Sequence, residues 1–138
     1  MKYFELYELV DRNTFQKWGE NAWNLLHPDA LDALDGIREF FGVPVIVNNW
    51  YGGGQLQFRG YRPADCMIGT LNSYHKRGMA FDSNIKGFDS EDARQIIIEN
   101  RDNPLLIKIQ RMENYVDWIH FDIGSLTKEQ NRIYLFKA

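Results

Sequence analysis

The chain has 138 residues, which fits one domain with a substantial core. Hydrophobic residues make up 44% and charged residues 25%, as in ordinary globular proteins. The net charge of −3 argues against a protein that mainly binds nucleic acid, and no apolar run reaches the roughly 20 residues that span a bilayer. The single cysteine, Cys66, excludes an intramolecular disulfide framework. The N-terminal residues lack the features of a secretory signal, so we expect synthesis in the cytoplasm. We also expect a monomer.

The first third of the chain contains one clear helix. Apolar residues recur at helical spacing between Pro28, a favoured first helical position, and Gly42, a typical stop. The residues before it are harder to assign, because 3–10 fits either a helix or an edge strand. Asn13 or Thr14 is a candidate cap for a short helix that follows.

The middle of the chain is predicted to hold a short strand and a long loop. Residues 43–47 form a continuous apolar run, which indicates a buried strand beginning at Pro44, where proline is tolerated. Residues 48–72 follow as a loop that contains three consecutive glycines. Loops of this length inside a compact domain are uncommon and often functional.

The second half of the chain mixes strands with one helix. Residues 79–85 alternate in part and are predicted as a strand, and Asp89 or Ser90 is expected to cap a helix that reaches Asn100. Further strands are predicted at 105–112, 116–123 and 133–136. These last strands lie too close together for βαβ crossovers. The sequence therefore predicts an α+β domain with a mainly antiparallel sheet and helices packed on it.

Two of these strands each have a polar face that carries candidate functional side chains. In the first, Ala80 and Asp82 point the same way, because neighbouring side chains alternate along a strand. In the second, Trp118, His120 and Asp122 share one face. If both faces lie on one side of the same sheet, Asp82 and His120 converge, and Ala80 leaves space beside them.

A second histidine precedes the first of these strands. His75 lies seven residues before Asp82, and Gly78 permits the tight turn that brings the ring over the site. Three protein ligands with a fourth position left for water are typical of catalytic zinc sites. His75, Asp82 and His120 supply such a set, so we predict a Zn²⁺ site that activates water for hydrolysis.

A hydrolytic site of this kind also needs a carboxylate that accepts a proton from water. Asp117 is the candidate, although on an ideal strand it points away from His120, so this role requires a bend or bulge near Trp118. Glu113 is the reserve base. Asp122 shares a face with His120 and is a candidate for orienting that ring.

At these residues the sequence resembles the family of zinc D-Ala-D-Ala carboxypeptidases and L-alanyl-D-glutamate endopeptidases, which shares its fold with the Hedgehog signalling domain. The first part of the family pattern, S-x-H-x-x-G-x-A-x-D, is matched at every fixed position, by Ser73, His75, Gly78, Ala80 and Asp82. The second part, a carboxylate followed by two residues and a histidine, is matched by Asp117 and His120. The stretch NNWYGGGQ at 48–55 resembles small phage or prophage members, and the similarity covers residues 30–125.

The resemblance implies a single zinc peptidase-like domain over residues 1–138 with the Hedgehog/DD-peptidase fold. It implies that His75, Asp82 and His120 ligate zinc and that Asp117 is the catalytic base. Many members have glutamate at this last position, whereas phage endolysin relatives have aspartate, which favours the endopeptidase branch.

The resemblance also implies roles around the proposed metal. Arg62, in a turn upstream of the first motif, is expected to bind a substrate carboxylate or carbonyl and to stabilise the oxyanion, and Arg59 is a nearby alternative. Ser73 and Trp118 are candidate substrate-binding residues. An ordinary turn hydroxyl and a core aromatic are the alternatives for these two side chains.

These observations predict a zinc metallopeptidase that hydrolyses a peptide bond in peptidoglycan stem peptides, as an endopeptidase or a D,D-carboxypeptidase. Such an enzyme would act at the cell wall after release or delivery by a phage-type route. One alternative is a non-catalytic zinc-binding module, either a phage structural component or a cell-wall-binding unit. A zinc hydrolase that acts on another amide is a further alternative.

Overall fold

The computed structural model describes residues 1–70 and 72–138, and Leu71, within the predicted loop at 48–72, lies outside the described residues. Over these residues the fold is α+β, with three α-helices and a mixed five-stranded sheet. The helices are α1 (Arg12–Trp18), α2 (Pro28–Phe41) and α3 (Ser90–Glu99). The strands are β1 (Val45–Ile46), β2 (Ala80–Ile85), β3 (Arg111–Glu113), β4 (Ile119–Asp122) and β5 (Tyr134–Phe136). Short 3₁₀ helices cover Leu6–Glu8, Gly19–Leu25, Trp50–Gly52 and Tyr74–Arg77.

The sheet has the strand order β1-β2-β4-β3-β5. The first three pairings along this order are antiparallel, and β5 pairs with β3 in parallel. The sheet is therefore mixed, with the antiparallel majority that the sequence predicted. The parallel edge arises because the chain leaves β4, passes through residues 123–133 and returns beside β3 in the same direction.

Helices α2 and α3 have the ends that the sequence predicted. Pro28 is the first residue of α2, and Gly42 ends it in the left-handed conformation with φ of 69°. Asp89 caps α3, since its side chain accepts hydrogen bonds from two backbone N–H groups of the first turn. Proline without an N–H and glycine without a Cβ suit these two ends of α2.

Several local predictions were wrong. The cap of α1 is Asp11, whose carboxylate accepts the Thr14 N–H, and neither Asn13 nor Thr14 is the cap. The predicted strand at 105–112 is reduced to β3, which begins only at Arg111. Residues 103–109 instead form successive turns, in which Leu106 and Ile109 are fully buried. An apolar run can be buried by turns as well as by a strand, so the composition did not distinguish them.

The core face of the sheet carries the aromatic residues of β2 and β4. Phe81 and Phe121 pair directly across these strands and are fully buried. They belong to one core cluster that also includes apolar residues of α2 and α3. Since side chains alternate along a strand, this packing turns Asp82 and His120 to the opposite face.

Among the described residues, no helix is both long enough and apolar enough to cross a membrane.

The turn at Gly78 positions His75, and there is no room for a side chain at residue 78. Gly78 has φ of 68°, and a Cβ there would lie 2.0 Å from the Leu25 carbonyl oxygen. We expect Gly78→Ala to lower the free energy of unfolding by about 2–4 kcal/mol, from left-handed strain plus steric overlap. Gly53→Ala is the matched control, because Gly53 also has a positive φ but has open space around it. Urea denaturation of both variants measures the difference, and equal losses would contradict the steric contribution.

Candidate metal centre

The register of β2 and β4 brings two candidate ligands together. Asp82 lies directly opposite His120 across the antiparallel pair, and Asp82 Oδ1 is 2.7 Å from His120 Nδ1. His75, in the 3₁₀ turn before β2, places Nε2 3.3 Å from the same oxygen. The three side chains are buried, and one donor atom from each lies within 4.8 Å of the others. The predicted convergence of these residues is confirmed.

His75 is oriented by the long loop. Its Nδ1 lies 2.9 Å from the carbonyl oxygen of Gly60, which can only accept a hydrogen bond. Nδ1 therefore donates to that carbonyl, and Nε2 faces Asp82. The Ser73 hydroxyl accepts the backbone N–H of His75, so Ser73 caps the turn in addition to lining the cavity beside the cluster.

His120 is held on its other side by Asp122. Its Nε2 lies 2.9 Å from Asp122 Oδ2, which gives Asp122 the orienting contact predicted from the alternation. Asp122 is fully buried, and both of its oxygens accept hydrogen bonds from Arg111, at 2.8 and 3.0 Å. The Gly124 N–H donates to the same carboxylate. Such outer contacts fix the rotamer of a metal-binding histidine.

The cluster has strongly altered proton affinities. Burial by itself would lower the pKa of His120, but hydrogen bonds to Asp122 and Asp82 outweigh burial and raise the pKa to about 9. Burial would raise the pKa of Asp82, yet the contacts with His120 and His75 hold it far below its usual range. The pKa of Asp122 is also lowered, against burial, by His120 and Arg111. Without a metal ion, His120 is therefore a cation between two carboxylates.

The donor set fits a divalent metal ion. Two imidazole nitrogens and one carboxylate oxygen are ligands that Zn²⁺ and related ions accept. His75 and His120 each use the ring nitrogen remote from the cluster centre for an anchoring contact, to Gly60 and Asp122. Because His120 Nδ1 faces Asp82 with a proton attached, an ion bound there would have to displace that proton.

Two open cavities meet at the cluster. One has a volume of about 290 Å³ and contains the three candidate ligands, with Ser73 and Glu113 in its wall. The other is a groove of about 500 Å³ that contains Arg59 and Asp117. Arg62, Asp82 and Trp118 line both. The cluster is therefore accessible from the surface on two sides.

The two candidate bases occupy different positions. Glu113 lines the cavity that contains the cluster, whereas Asp117 is exposed and lines the groove. The backbone bends at residues 115–118 before β4 begins at Ile119, but this bend leaves Asp117 in the groove and outside the cavity of the cluster. The backbone carbonyls of the three preceding residues accept hydrogen bonds from side chains, those of 116 and 118 from Arg94 and that of 117 from Asn84.

Arg62 lies beside the proposed ligands. Its Nη2 is 3.3 Å from Asp82 Oδ2, and its Nε donates to the Phe58 carbonyl at 2.7 Å. Arg62, Ser73 and Trp118 all line the cavity that contains the cluster, and their substrate-binding roles stay predictions. Ion pairing with Asp82 occupies one end of the Arg62 guanidinium.

Sequence reasoning missed two arginines that support the site. Arg111 holds Asp122, and Arg94 holds the segment before β4. The role of Arg94 could have been inferred from the sequence, because Arg94 lies on the buried face of α3 with Ala93 and Ile97. A charged residue on such a face indicates a buried polar partner. Arg111 carried no comparable signal.

Comparison with known proteins identifies no relative. No protein-family model, no curated protein and no solved structure matches the chain.

The contact between Asp122 and His120 predicts an effect on metal affinity. We expect Asp122→Asn to weaken zinc binding by about 10- to 100-fold. The carboxylate charge orients the His120 ring and makes that ring more basic, and the substitution removes this charge. Competition with a chelator of known affinity measures this change. Asp92→Asn, an exposed change on α3 with the same loss of charge, is the control and should retain wild-type affinity. Equal affinities for the two variants would contradict the prediction.

The raised pKa of His120 predicts a pH-dependent stability of the metal-free protein. Protonation of the folded state is favoured, so the stabilisation is complete below the ordinary value of 6.5 and is lost as the pH rises through about 9. The loss is at most about 3 kcal/mol. Urea unfolding in the presence of a chelator, across this pH range, measures it.

The control for this experiment is a histidine outside the cluster. His27→Gln should keep the fall in stability, since His27 caps α2 at an exposed position. His120→Gln should abolish it. The same pH profile in both variants would show that another group is responsible.

Proposed function

We propose that this protein is a zinc-dependent peptidase that hydrolyses a peptide bond in peptidoglycan stem peptides. The observation that carries the proposal is the buried cluster of His75, Asp82 and His120, whose donor atoms converge within 4.8 Å in the wall of an open cavity. These are the three residues to which the resemblance assigns zinc. The convergence of His120 with the nearby pair His75 and Asp82 supports this assignment.

The chemistry follows from the donor set. A zinc ion held by these side chains would supply Lewis-acid activation of water and of the scissile carbonyl. Arg62 lines both cavities at the cluster, so its guanidinium can stabilise the negative charge that develops on the carbonyl oxygen. Trp118 also lines both cavities and offers an apolar surface to the substrate.

A carboxylate is required to accept the proton of the attacking water and to return it to the leaving amine. The motif supports Asp117 for this role. The position in the cavity supports Glu113, which shares that space with all three proposed ligands. Both are retained as candidates, and a pair of isosteric variants separates them.

We further propose that the fold is of the Hedgehog/DD-peptidase type and that the protein acts at the cell wall by a phage-type route. The support is the α+β architecture and the position of Asp82 and His120, one from each half of the motif, on adjacent antiparallel strands.

A non-catalytic zinc-binding module is the second candidate function. It is favoured by the exposure of Asp117 outside the cavity that holds the cluster, and by the ion pair that engages Arg62 with Asp82. This candidate predicts stoichiometric zinc without turnover.

Digestion of purified muropeptides with the zinc-loaded protein, followed by mass spectrometry, tests the proposal. We expect released peptide fragments from the wild type and none from His75→Ala. Of Asp117→Asn and Glu113→Gln, the variant that removes the base should lower the rate by about 10²- to 10⁴-fold. Glu99→Gln, at an exposed position of α3, should leave the rate unchanged. If zinc-loaded wild-type protein releases no fragments, the peptidase proposal is contradicted and the non-catalytic module is supported.

A further inference from the structure

Arg59 is a positively charged side chain in the groove that forms no ion pair with a carboxylate of the described residues. Its guanidinium makes one hydrogen bond within the described residues, from Nη2 to the neutral amide oxygen of Asn84 at 2.7 Å, and it forms no ion pair there. Asp117 lines the same groove without pairing with it. Asp82, the other carboxylate of the groove, is already engaged by His75, His120 and Arg62.

The position of Arg59 is rigidly determined. Its backbone N–H donates to the side-chain oxygen of the buried Asn48, at 3.0 Å. Its backbone carbonyl accepts the N–H of Asp82, at 2.7 Å. Asn84, which holds the guanidinium, is anchored in turn because its Nδ2 donates to the Asp117 carbonyl. Two backbone hydrogen bonds and one from the guanidinium hold Arg59, so little conformational entropy is lost when a ligand binds it.

The surroundings make an unpaired charge costly. Arg59 is half-buried, and burial lowers the pKa of its guanidinium below the ordinary value although the charge of Asp82 opposes this change. The groove of about 500 Å³ also contains the apolar side chains of Leu56, Ile68 and Trp118, each of which is exposed. Charged groups in such surroundings are normally paired, and a ligand can supply the partner.

We propose that Arg59 is the carboxylate-binding residue of this protein and that the groove receives the anionic part of a peptide ligand beside the metal centre. The inference rests on the proposed function only in that the ligand is a peptide. The resemblance assigned both carboxylate binding and oxyanion stabilisation to Arg62, whereas here two arginines divide these roles. Arg62, which contacts Asp82, is left to act on the reacting carbonyl, and Arg59 binds the carboxylate.

Matched peptides test this assignment by binding to the zinc-loaded protein. The probes are acetyl-Ala-Glu-Ala-amide, acetyl-Ala-Gln-Ala-amide and acetyl-Ala-Gln-Ala with a free terminal carboxylate. In the wild type, at least one of the two anionic peptides should bind about 10- to 100-fold more tightly than the neutral one, as expected for a hydrogen bond between charged groups. The preferred anionic peptide identifies the source as a side chain or a chain terminus. Nuclear magnetic resonance titration measures all three affinities.

Variants then assign the preference to Arg59. Arg59→Gln should reduce the ratio of affinities to within about twofold of unity, whereas Arg101→Gln, an exposed arginine outside both cavities, should keep the wild-type ratio. Arg59→Lys keeps the charge but loses the planar fork, so it should lower the ratio several-fold and serves if the glutamine variant does not fold. Zinc affinity should change less than the carboxylate preference, because among the described residues the Arg59 side chain forms no hydrogen bond or ion pair with a proposed ligand.

The binding result is independent of turnover. If wild-type protein does not hydrolyse muropeptides but shows the Arg59-dependent preference, the peptidase proposal fails and this inference is supported. If the preference persists in both Arg59 variants, or if wild-type protein shows no preference for either anionic peptide, this inference is overturned whatever the activity.

Discussion

The antiparallel register between β2 and β4 is the constraint on which the site depends. Asp82 pairs with His120 and Phe81 with Phe121 in the same ladder. A slip of one residue would send the aromatic pair to the cavity and the candidate ligands into the core, because side chains alternate with a period of two. Both outcomes are costly, since the phenylalanines are fully buried and the polar pair is charged. Burial of one face therefore specifies the chemistry of the other.

The charged cluster is stable only because every member has a partner. Asp82 receives Arg62 on one oxygen and two imidazoles on the other, and Asp122 receives Arg111 and a backbone N–H. Buried charges without partners would destabilise the fold by several kcal/mol. These partners hold the cluster in place, and a metal ion bound there would replace the proton on His120 Nδ1. Pre-organisation of this kind is what catalysis and tight metal binding both require.

The groove depends on irregular backbone held by the regular elements. Arg94 of α3 donates to the carbonyls on either side of residue 117, and Asn84 of β2 donates to the carbonyl of 117 itself. This segment consequently leaves the ladder before β4 begins. Asn84 also holds Arg59, so the groove's cation and the segment that carries Asp117 share one anchor. Functional loops on a rigid sheet follow this general arrangement.

The sequence by itself determined what depends on near neighbours. Pro28 and Gly42 defined α2, Asp89 defined the start of α3, and alternation placed Asp82 and His120 on one face. Only the tertiary structure decided the parallel edge formed by β5, the turns at 103–109, and which carboxylate lines the cavity of the cluster. It also decided that Arg62 pairs with Asp82, whereas Arg59 forms no ion pair with a carboxylate in the part of the chain that the structure describes. The reason is physical: caps and alternation are set by residues a few positions apart, whereas ion pairs and strand order depend on contacts between distant parts of the chain.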